Sequence, residues 1–162
     1  TVEDCHVSVG VAELVPFCRR ITPRTPSLQR KRFDTRFFAA PLPEGARAAH
    51  DNHEAIASIW FAPRLALERY WAGDIDLAPP QIMSLAQLSR YRSLAEALDD
   101  IGRRPPPLIE PASMKIDDVR AVAYPGDPAH PLREKVMPGP TRLVFRNRRF
   151  EPDGGFAAFF QD

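Results

Sequence analysis

Lysine is scarce: 3 of the 22 basic residues are lysine and 19 are arginine. That bias reads first as the codon usage of a G+C-rich genome and only weakly as phosphate recognition. Net charge is also low, +1 over 162 residues, so no strong field draws the chain to nucleic acid or to a membrane. No run approaches the ~18 apolar residues of a membrane-crossing helix, and the first residues lack a secretory-signal pattern. The two cysteines, Cys5 and Cys18, do not have metal-knuckle or redox-pair spacing. Buried thiols in a reducing compartment are therefore expected, with a cytoplasmic location, and a disulfide is the lesser alternative. Paired glutamates are missing too. No two of the nine glutamates are adjacent, and no Ser-His-Asp spacing, Walker loop or G-x-G-x-x-G is present. Proline, by contrast, is abundant at 18 residues, which implies a loop-rich periphery. Hydrophobic content of 44 % is ordinary for a globular chain able to bury one core.

The most informative stretch runs from Lys31 to Ala40. If it is extended, Arg32, Asp34 and Arg36 share one face and Phe33, Thr35 and Phe37 the other. Two guanidiniums about 7 Å apart on a strand suit a diphosphate, since each planar fork can take a phosphate in bidentate fashion. The plainer alternative is cross-strand salt bridging, with Asp34 holding both arginines on a solvated sheet face.

Alternating Val7, Val9 and Val11, followed by Leu14, Val15 and Phe17, favour a strand that ends at Thr22-Pro23. Residues 14–21 and 32–40 are expected to pair antiparallel. A third strand is expected over Ala55–Phe61. Helices follow: one opened by Pro63 and stopped by Gly73, one opened by Pro80, and one marked by the capping box Ser93-x-x-Glu96 and stopped by Gly102. Beyond Pro105-Pro106-Pro107, short strands are expected at Val119–Tyr124, Thr141–Phe145 and Arg148–Phe150. Phe156, Phe159 and Phe160 should pack, because three exposed rings would form an association surface. The domain reading is 1–102 followed by a Pro-rich extension at 103–162 carrying a small hairpin.

Other candidate sites compete with plain readings. His50-Asp51-Asn52-His53-Glu54 is the densest metal-capable set, but no second cluster completes a transition-metal site, so a solvated loop is the simpler reading and no metal ligand is assigned. Phe145 and Phe150 flank Arg146-Asn147-Arg148-Arg149. Such a run could stack on single strands, yet the near-neutral charge favours a solvated hairpin. Tyr124-Pro125-Gly126-Asp127-Pro128 reads as a turn.

Arg20-Ile21-Thr22-Pro23, then Arg32-Phe33-Asp34-Thr35-Arg36-Phe37-Phe38, resembles the later half of a Nudix hydrolase. The branch is the coenzyme A diphosphatase type, with its W-I-T-P and R-R-F-D-T-R-F-F segments. The likeness continues through Asp51, Glu54, Trp60-Phe61, Gly73-Asp74 and Pro79-Pro80 to Tyr124–Pro128. It implies an α/β fold with an incomplete Nudix-like mixed sheet, flanking helices and the Pro-rich extension. It also implies Mg²⁺- or Mn²⁺-dependent cleavage of a diphosphate linkage in coenzyme A or a related nucleoside diphosphate derivative. The products from coenzyme A would be 3′-phospho-adenosine monophosphate and phosphopantetheine.

The metal-holding family helix, G-x5-E-x7-R-E-U-x-E-E-x-G-U, has no counterpart here. The expectation is therefore a chain inactive alone, whether a fragment or a box-less homologue, that needs a preceding segment or a second copy. Thr1, standing where a methionine would begin a complete chain, fits that expectation. Whether the chain is itself an enzyme stays open. The alternative is a non-catalytic nucleotide-binding or interaction module. On the family pattern Glu54 is the one catalytic candidate, as a late-loop carboxylate, with a cap or an ion pair to Arg32 or Arg36 as its plainer role. Arg32, Asp34 and Arg36 are the phosphate-side candidates. Phe33 and Trp60 could flank a base or pantetheine arm, with core packing as the plainer role for both.

Overall fold

The computed structural model of the chain describes residues 14–23, 32–45 and 59–161. Strand β1 (Val15–Ile21) lies between β2 (Asp34–Ala39), which is antiparallel to it, and β3 (Leu108–Ile109), which is parallel. The expected pairing of the first two strands is present, although β2 starts at Asp34 and leaves Arg32 and Phe33 ahead of it. The register slips between Pro16 and Cys18, so both Phe17 and Cys18 reach the interior. A bulge of this kind places two consecutive residues against one on the partner strand.

Three helices follow, α1 (Pro63–Ala72), α2 (Pro79–Leu88) and α3 (Leu94–Gly102). In α1, Pro63 stands in the first turn and Gly73 caps the end at φ 86°, its N–H donating to the carbonyl of Tyr70. The positive φ is the reason for glycine there. Helix α2 begins at Pro79 rather than Pro80. Gln81, just after the proline pair, supplies a side-chain cap: its Oε1 accepts the N–H of Ala78 at 2.8 Å. In α3, Ser93 Oγ accepts the N–H of Glu96 at 3.1 Å, but the Glu96 carboxylate takes the N–H of Arg92, not Ser93. Gly102 ends the helix as expected. It is the last helical residue, Arg103 follows at φ −80°, and Pro105 to Pro107, lacking N–H donors, end the element.

Where a small hairpin was expected, residues 112–160 form an antiparallel meander of β4 (Ala112–Ile116), β5 (Val119–Ala123), β6 (Arg142–Arg146) and β7 (Arg149–Pro152), closed by a 3₁₀ turn at Phe156–Phe160. Strands β5 to β7 match the expected ones; β3 and β4 were not anticipated. Both tight hairpins use two consecutive residues at positive φ, Asp117 and Asp118 in one and Asn147 and Arg148 in the other. Such primed turns match strand twist, and Asp and Asn tolerate the conformation. The basic run is thus a hairpin tip, with Arg146 paired to Asp153 and Arg149 to Glu151.

One buried cluster gathers Phe17, Leu67, Ile82 and Ile101 with Tyr124, Met137, Leu143 and Phe159. Tyr70 fastens α1 to β7, because its hydroxyl donates to the carbonyl of Phe150 and accepts that residue's N–H. The closing phenylalanines pack as expected: Phe156 and Phe159 meet Trp71 at 5.5 and 6.1 Å between ring centres. Residues 55–58 of the expected third strand lie outside the described residues, and Ile59–Phe61 is not strand.

Candidate functional site

Antiparallel pairing sets Arg19 of β1 opposite Arg36 of β2, and Ile21 opposite Asp34. Arg19, Arg36 and Asp34 therefore share one face of the sheet. Arg19 reaches diagonally to Asp34 and holds it with two hydrogen bonds, Nε to Oδ1 at 2.8 Å and Nη2 to Oδ2 at 2.5 Å. Those bonds hold the Asp34 carboxyl below the usual carboxylate range, with Arg36 adding to the effect. Cross-strand bridging is thus what Asp34 does, but with Arg19 and not with both Arg32 and Arg36.

Arg36 has no carboxylate at salt-bridge distance among the described residues. It borders a hollow of about 290 Å³ with Cys18, Phe37, Pro106 and Leu108. Arg32 turns elsewhere. Its Nε donates to the Thr22 carbonyl and its Nη2 to Glu110 at 2.7 Å, which ties the segment before β2 to the residue after β3. Glu110 in turn borders a second cleft of about 470 Å³, mostly apolar, lined by Leu108, Pro111, Pro125 and Leu132. Leu108 is common to both concavities. The two arginines therefore do not converge on one point; they stand beside adjoining hollows separated by one leucine.

Phe33 and Trp60 are 57 % and 69 % exposed, so the core role is overturned for both. In each case the chain around the ring is not covered: Phe33 precedes the edge strand and Trp60 precedes α1. Glu54 and Asp51 lie outside the described residues. Among the described residues no three His, Cys, Asp or Glu side chains come together in a way that could hold a metal ion. That donor set does not fit a protein-held Mg²⁺ or Mn²⁺, and no step through such an ion is derived from it.

Sequence reasoning missed three residues. Arg19 and Glu110 are the partners of the singled-out side chains; alternation along β1 would have placed Arg19 opposite the Arg36 face once the register was known. The third is Arg20, which points inward and is 6 % exposed. Its Nη2 donates to Ser84 Oγ at 3.0 Å, its guanidinium stands 5.5 Å from the Phe37 ring, and Nη1 has no partner among the described residues. The Tyr124 hydroxyl, also buried and unpartnered, has its pKa pushed up by burial. A second polar anchor lies in the extension. Asp127, 2 % exposed, takes both arms of Arg142 at 2.9 and 2.7 Å and also the N–H of Ala129. These bonds hold its carboxyl below the usual range even though burial opposes them. Gly126 makes that turn possible: its φ is 96°, and a Cβ there would stand 2.9 Å from the Lys135 Cβ.

Comparison with known proteins bears out the resemblance carried by Arg20 to Phe38. The chain is 30 % identical over 127 residues to the acyl-coenzyme A diphosphatase NUDT19 of Xenopus laevis, covering 76 % of this chain and 33 % of that protein. Against NUDT19 of Homo sapiens it is 33 % identical over 85 residues, or 52 % of this chain and 20 % of the relative. Against that of Gallus gallus it is 37 % identical over 65 residues, or 40 % and 17 %. The chain thus spans a third or less of the curated relatives it matches. No family model matches it, and no solved structure does.

Proposed function

We propose that this chain, a relative of part of the coenzyme A diphosphatase branch of the Nudix hydrolases, binds a nucleoside diphosphate derivative such as coenzyme A and does not hydrolyse it unaided. The observation that carries the reading is the 127-residue similarity to an acyl-coenzyme A diphosphatase, in a sequence with no R-E-x-x-E-E box. The mixed α/β architecture, two sheets with three helices, agrees with an incomplete Nudix-like fold.

In this reading Arg36, which has no carboxylate at salt-bridge distance among the described residues, takes a phosphate with its guanidinium fork. The neighbouring Arg19–Asp34 pair keeps the local charge balanced and fixes the strand face. Arg32, held by Glu110, adds a second cation at the adjoining cleft. Phe33 and Trp60 offer exposed rings to a base or pantetheine arm, and Glu54 remains the candidate late-loop carboxylate. The hydrolytic metal would come with carboxylates from elsewhere in a longer protein or from a partner.

Calorimetric titration of the chain with coenzyme A and with 3′,5′-ADP tests the binding half. Arg36→Ala should weaken both by about tenfold, the size of one charge-assisted contact. Absence of binding, or indifference to that change, defeats it. Turnover of coenzyme A by the chain with Mg²⁺ would defeat the other half.

A second reading, an interaction module, is favoured by the exposed Phe33 and Phe38 at β2 and the exposed Ile59 and Trp60 ahead of α1, with the outer edge of β2 lacking a partner strand among the described residues. Concentration-dependent self-association that disappears in Trp60→Ser would support it.

A further inference from the structure

We propose that the outer edge of β2 docks a second copy of this chain in one register, chosen by the order of its own charges, an inference that rests on the interaction-module reading. Among the described residues β2 is paired on its β1 side alone. The Thr22 N–H donates to the Phe33 carbonyl, so the backbone groups of Phe33 face β1. Alternation then turns those of Asp34, Arg36 and Phe38 outward, where a further strand can meet them. Phe33 and Phe38, both exposed, flank this edge on opposite faces.

Charged side chains usually guard such an edge. Here they stand in an order that complements itself. Antiparallel strands bring directly opposed residues to the same face. Two copies of β2 meeting about Thr35 set Asp34 across from the partner's Arg36, and Arg36 across from the partner's Asp34. On the other face Phe33 meets the partner's Phe37. Sliding by one pleat repeat sets Asp34 against Asp34 in one direction and Arg36 against Arg36 in the other, and like charges directly opposed are unfavourable. Sliding by a single residue brings backbone groups already committed to β1 into the new ladder, so none forms. The two Arg19 bonds to Asp34 do not bar the contact, because an ionised carboxylate accepts about four hydrogen bonds. Arg36 has no carboxylate at salt-bridge distance among the described residues. Docking would join two three-stranded sheets into one. Arg36 cannot serve a phosphate and a partner's carboxylate at once, so ligand and second copy compete for this edge.

The test follows self-association of the chain by sedimentation velocity over a concentration series, under reducing conditions and without ligand. The wild type should dimerise. Asp34→Lys and Arg36→Glu should each weaken association at least about tenfold, because both cross-strand pairs become repulsive. An equimolar mixture of the two variants should dimerise again, since their edges then carry opposite charge. Both positions are exposed, and unchanged thermal unfolding of each variant would confirm that the fold is retained. Thr35→Cys in a Cys5→Ser background gives an independent readout of register. Its directly opposed thiols should close to a covalent dimer under mild oxidation, whereas Arg36→Cys, offset from its own copy by one pleat repeat, should not.

Association that survives both charge reversals and is lost in Trp60→Ser would overturn docking at this edge while leaving the interaction-module reading in place. Failure of the mixed variants to associate where the wild type does would overturn the register. A wild type that stays monomeric, with no covalent dimer from Thr35→Cys, would remove the docking edge and the self-association behind it together.

Discussion

Two regions of this molecule solve burial differently. Around α1, α2 and the β4–β7 meander, apolar side chains disappear: Leu67, Ile82 and Leu143 have no exposure at all. Even the polar backbone of β7 is answered, by Tyr70. Along β2 and the approach to α1 the reverse holds. Phe33, Phe38, Ile59 and Trp60 stand in solvent, and the polar face is stitched by exposed ion pairs. Exposed pairs of that kind contribute little stability. The first region holds the chain together; the second leaves its rings open to solvent.

The sharpest way to break this contrast is to truncate one side chain in each region. Leu143→Ala should destabilise by about 2–5 kcal/mol, from lost transfer energy and the cavity left behind. Trp60→Ala should stay within about 0.5 kcal/mol, as surface changes do. Urea unfolding of both variants checks this, and equal losses would show that the exposed edge is packed in solution.

A somewhat smaller effect is expected at the buried ion pair. Asp127→Asn leaves Arg142 without its counter-charge, and about 3 kcal/mol is expected to be lost. The pH dependence has a definite sign. The folded carboxyl of Asp127 is held below its unfolded value, so its contribution is fully present above about pH 4. It is lost as pH falls through the folded value. The acid limb of the stability–pH curve should therefore be shallower in Asp127→Asn than in the wild type, and identical limbs would remove Asp127 from that role.

The smallest shift sharpens the comparison from the other side. Arg20 is a buried cation that, among the described residues, has one nitrogen unpartnered and no carboxylate at salt-bridge distance. Replacing such a group with a hydrophobic residue of similar reach is often neutral or stabilising. Arg20→Met should thus unfold at the same urea concentration or higher. A loss above about 2 kcal/mol would show that the guanidinium has an anionic partner when the protein is folded in solution.

Much of the helical part was legible because its signals are local. Pro63 and Gly73 bracket α1, and the Ser93 hydroxyl caps α3 where the spacing said it would. The start of α2 was misread because Gln81, standing after the proline pair, does not suggest a side-chain cap by type, yet its longer amide reaches back to the N–H of Ala78. Strand β3 escaped notice because Leu108–Ile109 is only two residues long among prolines and has no period to detect. At the site, the cationic face of β2 was legible, but its partners were not. Arg19 and Glu110 come from other strands, and only tertiary register brings them there. Phe33 and Trp60 were misassigned because hydrophobicity alone says nothing about what covers a ring.

The slip in β1 at Phe17 has a further consequence. With an uninterrupted register counted from Pro16 and Phe38, Arg20 would fall across from Asp34 and Arg19 across from Thr35. A single additional residue thus selects which of two identical neighbours is sealed inside and which stays wet beside the acid. Shortening this strand by one position would therefore be expected to rewire the charges of an entire sheet face without altering any side chain's chemistry.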